Sequence, residues 1–217
     1  MRAGLLLLLF LPLPAMAGEA ALCDAAARRA AAESGVPETV LLALTRTETG
    51  RKRGQGLEPW PWAVNQAGQG YWFPDADSAL QFAEAQVAFG YGNLDIGCFQ
   101  LNHRWHSGGF HSLSDMFEPM ANARYAAAYL LKKYQETGDW TAAAGAYHSG
   151  TEVQAERYRA RFEIVMADLG RFDLAALEPP GQPRANSYPL LRGGGGGGLG
   201  SLMPRVAGRA SLFAALP

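Results

Sequence analysis

Residues 41–50 predict a helix that carries a carboxylate on its apolar side. Leu41 and Leu44 fall at the i and i+3 positions and Glu48 at i+7, so the three side chains share one face. Gly50 follows as a typical helix stop. A carboxylate on such a face is either paired with a cation or set in a cleft, where loss of water raises its pKa. A carboxyl group with a raised pKa can act as a general acid near neutral pH.

A purely structural role for Glu48 is the alternative. Its side chain could pair with Arg46, Arg51 or Lys52 at the end of the same helix. Position alone does not separate a catalytic acid from one half of an ion pair, so both interpretations stay open.

The first residues predict export. Arg2 is a minimal charged region, residues 5–13 are apolar, and residues 15–17 (Ala-Met-Ala) form a small-residue cleavage site. The apolar run is too short to span a bilayer, which takes about 20 residues. We therefore expect a signal peptide over residues 1–17 and a periplasmic mature protein with no transmembrane segment.

Export favours pairing of the two cysteines, Cys23 and Cys98. Disulfides form in oxidising compartments, so we expect a bridge between them, with two separate buried thiols as the alternative. A bridge that closes so long a loop contributes roughly 3–5 kcal/mol in the chain-entropy model.

Composition and charge limit the partners. The chain has 217 residues, 48% of them apolar, which suffices for one core. A net charge of -1 gives no electrostatic reason to expect a nucleic-acid partner. His103, His106 and His111 lie close together but follow no fixed ligand pattern, so we expect no metal, and no cofactor is predicted.

Helical patterns fill most of the chain. We expect helices from Pro37 through Glu48 and over residues 22–34, 75–89, 119–135, 140–147 and 152–169. Residues 60–73 predict a hairpin, whereas residues 51–57 and 93–102 are expected to be loops. The hairpin is rich in aromatic residues, which either cover a small sheet or offer a stacking surface to sugar rings: Trp60, Trp62, Tyr71 and Trp72. The glycine-rich composition of residues 173–217 predicts a disordered tail after a domain over residues 18–172.

Three motifs, in this order, resemble those of the soluble lytic transglycosylase (SLT) domain family, a relative of goose-type lysozyme. Residues 48–50 (Glu-Thr-Gly) resemble Glu-Ser-Gly. Residues 95–102 (Asp-Ile-Gly-Cys-Phe-Gln-Leu-Asn) resemble Asp-Ile-Gly-Leu-Met-Gln-Ile-Asn, and residues 146–150 (Ala-Tyr-His-Ser-Gly) resemble Ala-Tyr-Asn-x-Gly. Glu118-Pro119 followed by Asn122 fits the pattern between them, and the resemblance covers about residues 20–169.

The resemblance implies a mainly α (α+β) class: a lysozyme-like helical domain with a small β-hairpin, followed by the disordered tail. Members of this family cleave the MurNAc–GlcNAc β-1,4 bond of peptidoglycan glycan strands without water and leave a 1,6-anhydromuramoyl end. The hairpin over residues 60–73 most resembles the smaller branch of the family, which works beside secretion and other envelope-spanning machines.

The resemblance also implies site residues. Glu48 would be the sole catalytic acid and then the base, and Tyr147 would hydrogen-bond near it or near the substrate acetamido group. The implied substrate-binding residues are Thr49, Phe99, Gln100, Asn102, Tyr147 and His148. His148 stands where the family has asparagine, and Cys98 and Phe99 replace a Leu-Met pair.

Two other functions remain open at this point. A lysozyme-type hydrolase would use Asp95 together with Glu48, although we read Asp95 as a loop residue that binds backbone amides. A non-catalytic peptidoglycan-binding assembly factor is the second, and Glu48 speaks against it because a binding module does not need an acid on an apolar face.

Overall fold

The structure is a computed structural model that describes residues 18–54 and 56–177, and for residues 172–177 only the backbone. The predicted signal peptide and the tail beyond residue 177 lie outside the described residues. Within these bounds the chain is mainly α: eight helices and a few short strands. None of the described helices is both long and apolar enough to cross a membrane.

The helices are α1 (Glu19–Ser34), α2 (Glu38–Thr49), α3 (Ala76–Ala88), α4 (His103–His106), α5 (Leu113–Phe117), α6 (Pro119–Thr137), α7 (Trp140–His148) and α8 (Glu152–Leu177). A 3₁₀ turn, Ser107–Gly109, follows α4. The strands are β1 (Arg51–Arg53), β2 (Gly56–Glu58), β3 (Ala63–Gln66), β4 (Gln69–Trp72), β5 (Leu94–Ile96) and β6 (Leu101–Asn102).

The predicted helices are confirmed, and their ends follow the local chemistry. Asp75 caps α3 by accepting the Ser78 amide, and Asp139 caps α7 in the same way. Each cap satisfies a backbone N–H that has no partner inside its helix. Helix α8 runs to Leu177 and so passes the helix end expected at residue 169.

The predicted hairpin is confirmed, but two segments expected to be loops are strands. Residues 51–57 contain β1, which pairs antiparallel with β2. Residues 93–102 supply β5 and β6 to an antiparallel sheet of order β4-β3-β5-β6. These strands are two or three residues long, too short to show an alternating pattern in the sequence.

Helix α2 lies at the centre of the fold, between α1 and α8. Leu41, Leu44 and Thr45 are fully buried, which confirms the predicted apolar face. Only glycine fits at position 50, where the helix ends, because a Cβ atom there would lie 2.2 Å from the Arg46 carbonyl oxygen. The last turn of this central helix therefore brings Glu48 to the end of the core, beside the sheet.

Candidate active site

A cleft of about 690 Å³ opens where α2, the four-stranded sheet, α7 and α8 meet. Five of the residues expected in the site line it: Glu48, Gln100, Asn102, Tyr147 and His148. Other lining residues that bear on its chemistry are Asn65, Asp95, Trp105, Tyr129, Arg157, Tyr158 and Arg161.

The carboxyl group of Glu48 has a strongly raised pKa. Part of the residue faces the cleft, but burial of the carboxyl group raises its pKa from 4.5 to about 8. The hydrogen bond from Tyr158 lowers the pKa, the charge of Asp95 raises it, and the charge of Arg161 lowers it. Desolvation dominates, so Glu48 holds a proton at neutral pH.

The ion-pair interpretation of Glu48 is wrong for this structure. Arg46 turns to the other side of α2 and binds Asp24 through two contacts of 2.7 and 2.9 Å. Arg51 lies over the ring of Trp60, with 5.0 Å between its guanidinium carbon and the ring centre. In the part of the chain that the structure describes, Glu48 forms no salt bridge.

Tyr158 is the direct partner of Glu48, and sequence reasoning missed it. Its hydroxyl donates to Glu48 Oε1 at 2.7 Å. Burial raises the pKa of Tyr158 well above its usual value, so the phenol keeps the proton that it donates. The ring of His148 stacks on the ring of Tyr158, with 4.4 Å between the ring centres. Tyr158 lies on the buried face of α8 together with Phe162 and Val165, and a buried tyrosine hydroxyl needs a partner.

A turn at residues 97–100 forms the middle of the site and is fastened from several helices. Thr45 on α2 donates from Oγ1 to the Cys98 carbonyl at 2.8 Å. Tyr147 on α7 donates to the Phe99 carbonyl at 2.8 Å. The Tyr147 hydroxyl thus binds the turn, whereas Tyr158 binds Glu48. Cys98 also forms a disulfide with Cys23 on α1, as the sequence predicted.

Asn122 on α6 binds the same turn through side-chain hydrogen bonds. It is fully buried; its Oδ1 accepts from the Phe99 amide at 2.9 Å, and its Nδ2 donates to the carbonyls of Ile96 and Met116 at 3.1 and 2.9 Å. Gly97 has φ +79°, and a Cβ atom there would lie 2.8 Å from Asn122 Nδ2. Only glycine fits both the left-handed backbone and the close approach.

Gln100 and Asn102 hold the sheet side of the cleft. Gln100 has φ +45°. Its side-chain Nε2 donates to the carbonyls of Gly97 and Ala63 at 3.0 and 3.2 Å. Asn102 donates to Asp95 Oδ1 at 2.7 Å. Asp95 is therefore a strand residue bound by a side-chain amide, which corrects its assignment as a loop residue bound to backbone amides. Burial raises the pKa of Asp95.

The side chains of Thr49 and Phe99 do not line the cleft. Thr49 is 2% exposed; its hydroxyl donates to the Thr45 carbonyl and accepts from the Trp60 amide, each at 3.0 Å. Phe99 is fully buried in the core. Both side chains support the segments that carry Glu48 and Gln100.

The aromatic residues of the hairpin also lie outside the cleft lining. Trp62 is 9% exposed and donates to Glu19 at 2.7 Å, as expected of a residue that covers the sheet. The aromatic side chains at the cleft are different ones, among them Trp105 and Tyr129. Trp105 is 74% exposed, and its position three residues after the second motif is the only sequence indication of its place.

His106 and His148 pack against aromatic rings. His106 lies at the cleft with its Nδ1 atom 3.1 Å from the Tyr125 hydroxyl and its ring against Tyr129. Within residues 18–54 and 56–177, no group of three His, Cys, Asp or Glu side chains is arranged to hold a metal ion.

A mainly helical domain with a desolvated acid at the cleft beside a small sheet is a lysozyme-like protein in its architecture. The sequence model of the transglycosylase SLT domain matches residues 25–164, more than half of the chain. The chain therefore belongs to the SLT domain family, and this membership supports a peptidoglycan-directed function in general. Searches of curated proteins and of solved structures found no significant match.

Proposed function

We propose that this protein is a murein lytic transglycosylase that cleaves the MurNAc–GlcNAc β-1,4 bond and leaves a 1,6-anhydromuramoyl end. The observation that carries the proposal is Glu48, whose carboxyl group has a pKa of about 8 and lies at the cleft in a hydrogen bond with Tyr158. Such a group is a proton donor at neutral pH and becomes a base once it has donated.

In the first step Glu48 protonates the glycosidic oxygen. The bond between that oxygen and C1 of the muramoyl residue breaks, the GlcNAc hydroxyl leaves, and positive charge develops at C1. The acetamido group of the substrate can stabilise this centre, a known exception to the two-carboxylate rule. Tyr158 then stabilises the carboxylate that Glu48 has become, since its hydrogen bond lowers the pKa of Glu48.

In the second step the 6-hydroxyl of the same muramoyl residue attacks C1. Its proton passes to the Glu48 carboxylate, which restores the acid and closes the anhydro ring without water. An intramolecular attack is favoured by proximity, with effective molarities that reach about 10⁵ M or more. One carboxyl group thus serves both steps.

A lysozyme-type hydrolase is the second candidate, and Asp95 is the observation that favours it. Asp95 lines the same cleft, and its charge raises the pKa of Glu48. A second carboxylate could activate water against C1. The hydrogen bond from Asn102 occupies Oδ1 of Asp95 and weighs against a role as base.

The place of action is part of the same proposal. Residues 1–17 direct export to the periplasm, where oxidation would form the Cys23–Cys98 bridge and where peptidoglycan is the substrate. A secretion machine or another envelope-spanning machine is the proposed setting, on the resemblance of the hairpin alone.

Clearing of purified sacculi tests the role of Glu48. Glu48→Gln keeps the shape of the side chain but cannot exchange a proton, so we expect activity to fall by about 10⁴-fold, the upper end for general acid–base catalysis. Glu163→Gln, the same change on the exposed side of α8, is the matched control and should clear sacculi as the wild type does. Clearing by Glu48→Gln at the wild-type rate would exclude Glu48 as the catalytic acid.

A further inference from the structure

Two arginines on one face of α8 line the cleft without acidic partners. Arg157 and Arg161 stand at i and i+4, and both are exposed at the cleft. Among the described residues, neither forms a salt bridge. Their own helix offers no carboxylate three or four residues away in either direction.

Other arginines of α8 are paired. Arg159 binds Glu152 at 2.6 Å and also contacts Glu156, and Arg171 contacts Asp168. Like charges at i and i+4 repel each other and lower helix stability. An unpaired cationic pair on a cleft wall is therefore a structural cost, and a bound anion would offset it.

Acidic and basic side chains are divided between the two sides of the cleft. Glu48 and Asp95 come from α2 and the sheet, whereas Arg157 and Arg161 come from α8. The charge of Arg161 reaches the acid: burial raises the pKa of Glu48, and Arg161 is among the groups that lower it. An anionic ligand group on the α8 side would thus lie close to the proposed reaction centre.

We propose that Arg157 and Arg161 bind a carboxylate on the muramoyl substituent of the glycan and so select peptidoglycan over neutral β-1,4 glycans. The inference rests on the proposed function. The sugar rings carry no charge, but the lactyl ether of muramic acid ends in a peptide with carboxylates or, without the peptide, in its own carboxylate. The planar guanidinium group binds a carboxylate through two parallel N–H bonds.

Binding of three tetrasaccharides tests the inference in the full chain with Glu48→Gln, which prevents cleavage. The ligands are neutral chitotetraose, a peptide-bearing GlcNAc–MurNAc tetrasaccharide, and the same tetrasaccharide after an amidase has exposed the lactyl carboxylates. We expect Arg157→Gln with Arg161→Gln to weaken binding of the peptide-bearing ligand by about 10-fold, as two partly exposed charge-assisted contacts allow. Chitotetraose should bind equally well with and without the two arginines. Arg171→Gln, on the same helix, is the control and should change neither affinity.

The ligands also identify the carboxylate. A weakening that persists with the amidase-treated ligand supports the lactyl carboxylate, and one confined to the peptide-bearing ligand supports the peptide. Equal weakening for chitotetraose, or no weakening for either anionic ligand, would overturn the inference. A different result would refute the proposed function alone: the wild type would bind these ligands with the expected charge selectivity but would release no anhydromuramoyl product.

Discussion

Stability of the fold should depend on pH through Glu48. The folded protein keeps the Glu48 proton up to a pKa of about 8, whereas the unfolded chain releases it near 4.5. Between these values the unfolded state binds fewer protons, so the contribution of Glu48 to stability is complete below pH 4.5 and is lost as pH rises through 8. Glu48→Gln cannot titrate and removes this contribution.

The magnitude follows from the size of the shift. One pKa unit corresponds to about 1.4 kcal/mol, so a shift from 4.5 to about 8 corresponds to roughly 5 kcal/mol at most. Because Glu48 faces the cleft, solvent reduces this value. We expect the free energy of unfolding of Glu48→Gln to rise relative to that of the wild type by about 2–4 kcal/mol between pH 5 and pH 8.5.

Urea unfolding of both proteins at several pH values measures the difference directly. Near pH 5 the two should be almost equally stable, and the advantage of Glu48→Gln should grow steadily to pH 8.5. Glu163→Gln controls for the loss of one charge. A difference between Glu48→Gln and the wild type that stays constant with pH would refute the desolvation of Glu48.

Three further predictions concern the groups around Glu48. Tyr158→Phe removes a hydrogen bond that lowers the pKa of Glu48, so the alkaline limb of kcat/KM should move upward by about one pH unit; an unmoved limb would show that the bond does not act on the acid. Cys23 and Cys98 enclose a loop with a sequence separation of 75, so reduction should cost about 4 kcal/mol in urea unfolding, and two alkylatable thiols in native periplasmic protein would contradict the bridge. Asn122→Ala leaves buried backbone groups unpaired and should lower the free energy of unfolding by about 3 kcal/mol; a loss within experimental error would deny it a part in holding the turn at residues 97–100.

Local rules sufficed for the six longer helices and for the placement of the acid, whereas the short helices α4 and α5 were not predicted. The spacing of Leu41, Leu44 and Glu48 predicted the buried face of α2, and the helices expected from residues 75 and 140 begin at Ala76 and Trp140. Each depends on residues within one or two helical turns, which the sequence displays directly.

The remainder of the site depends on contacts between distant residues. Tyr158 reaches Glu48 across 110 positions, and the Phe99 amide reaches Asn122 across 23. The sequence placed Tyr158 on a predicted helix but could not indicate where its hydroxyl points. Strands β5 and β6 were missed for a similar reason, because the pairing of β5 with β3 and of β6 with β5, rather than their own composition, defines them.

The source of the oxygen atom that bonds to C1 of the cleaved muramoyl residue is the measurement that tests the central claim most directly. Sacculi are digested by the wild-type protein in ¹⁸O-labelled water, and the released muropeptides are analysed by mass spectrometry. Intramolecular attack predicts unlabelled 1,6-anhydromuramoyl ends, lighter by one water than hydrolysis products. Labelled reducing ends would contradict the single-acid mechanism and would make Asp95 the partner of Glu48 in a hydrolase.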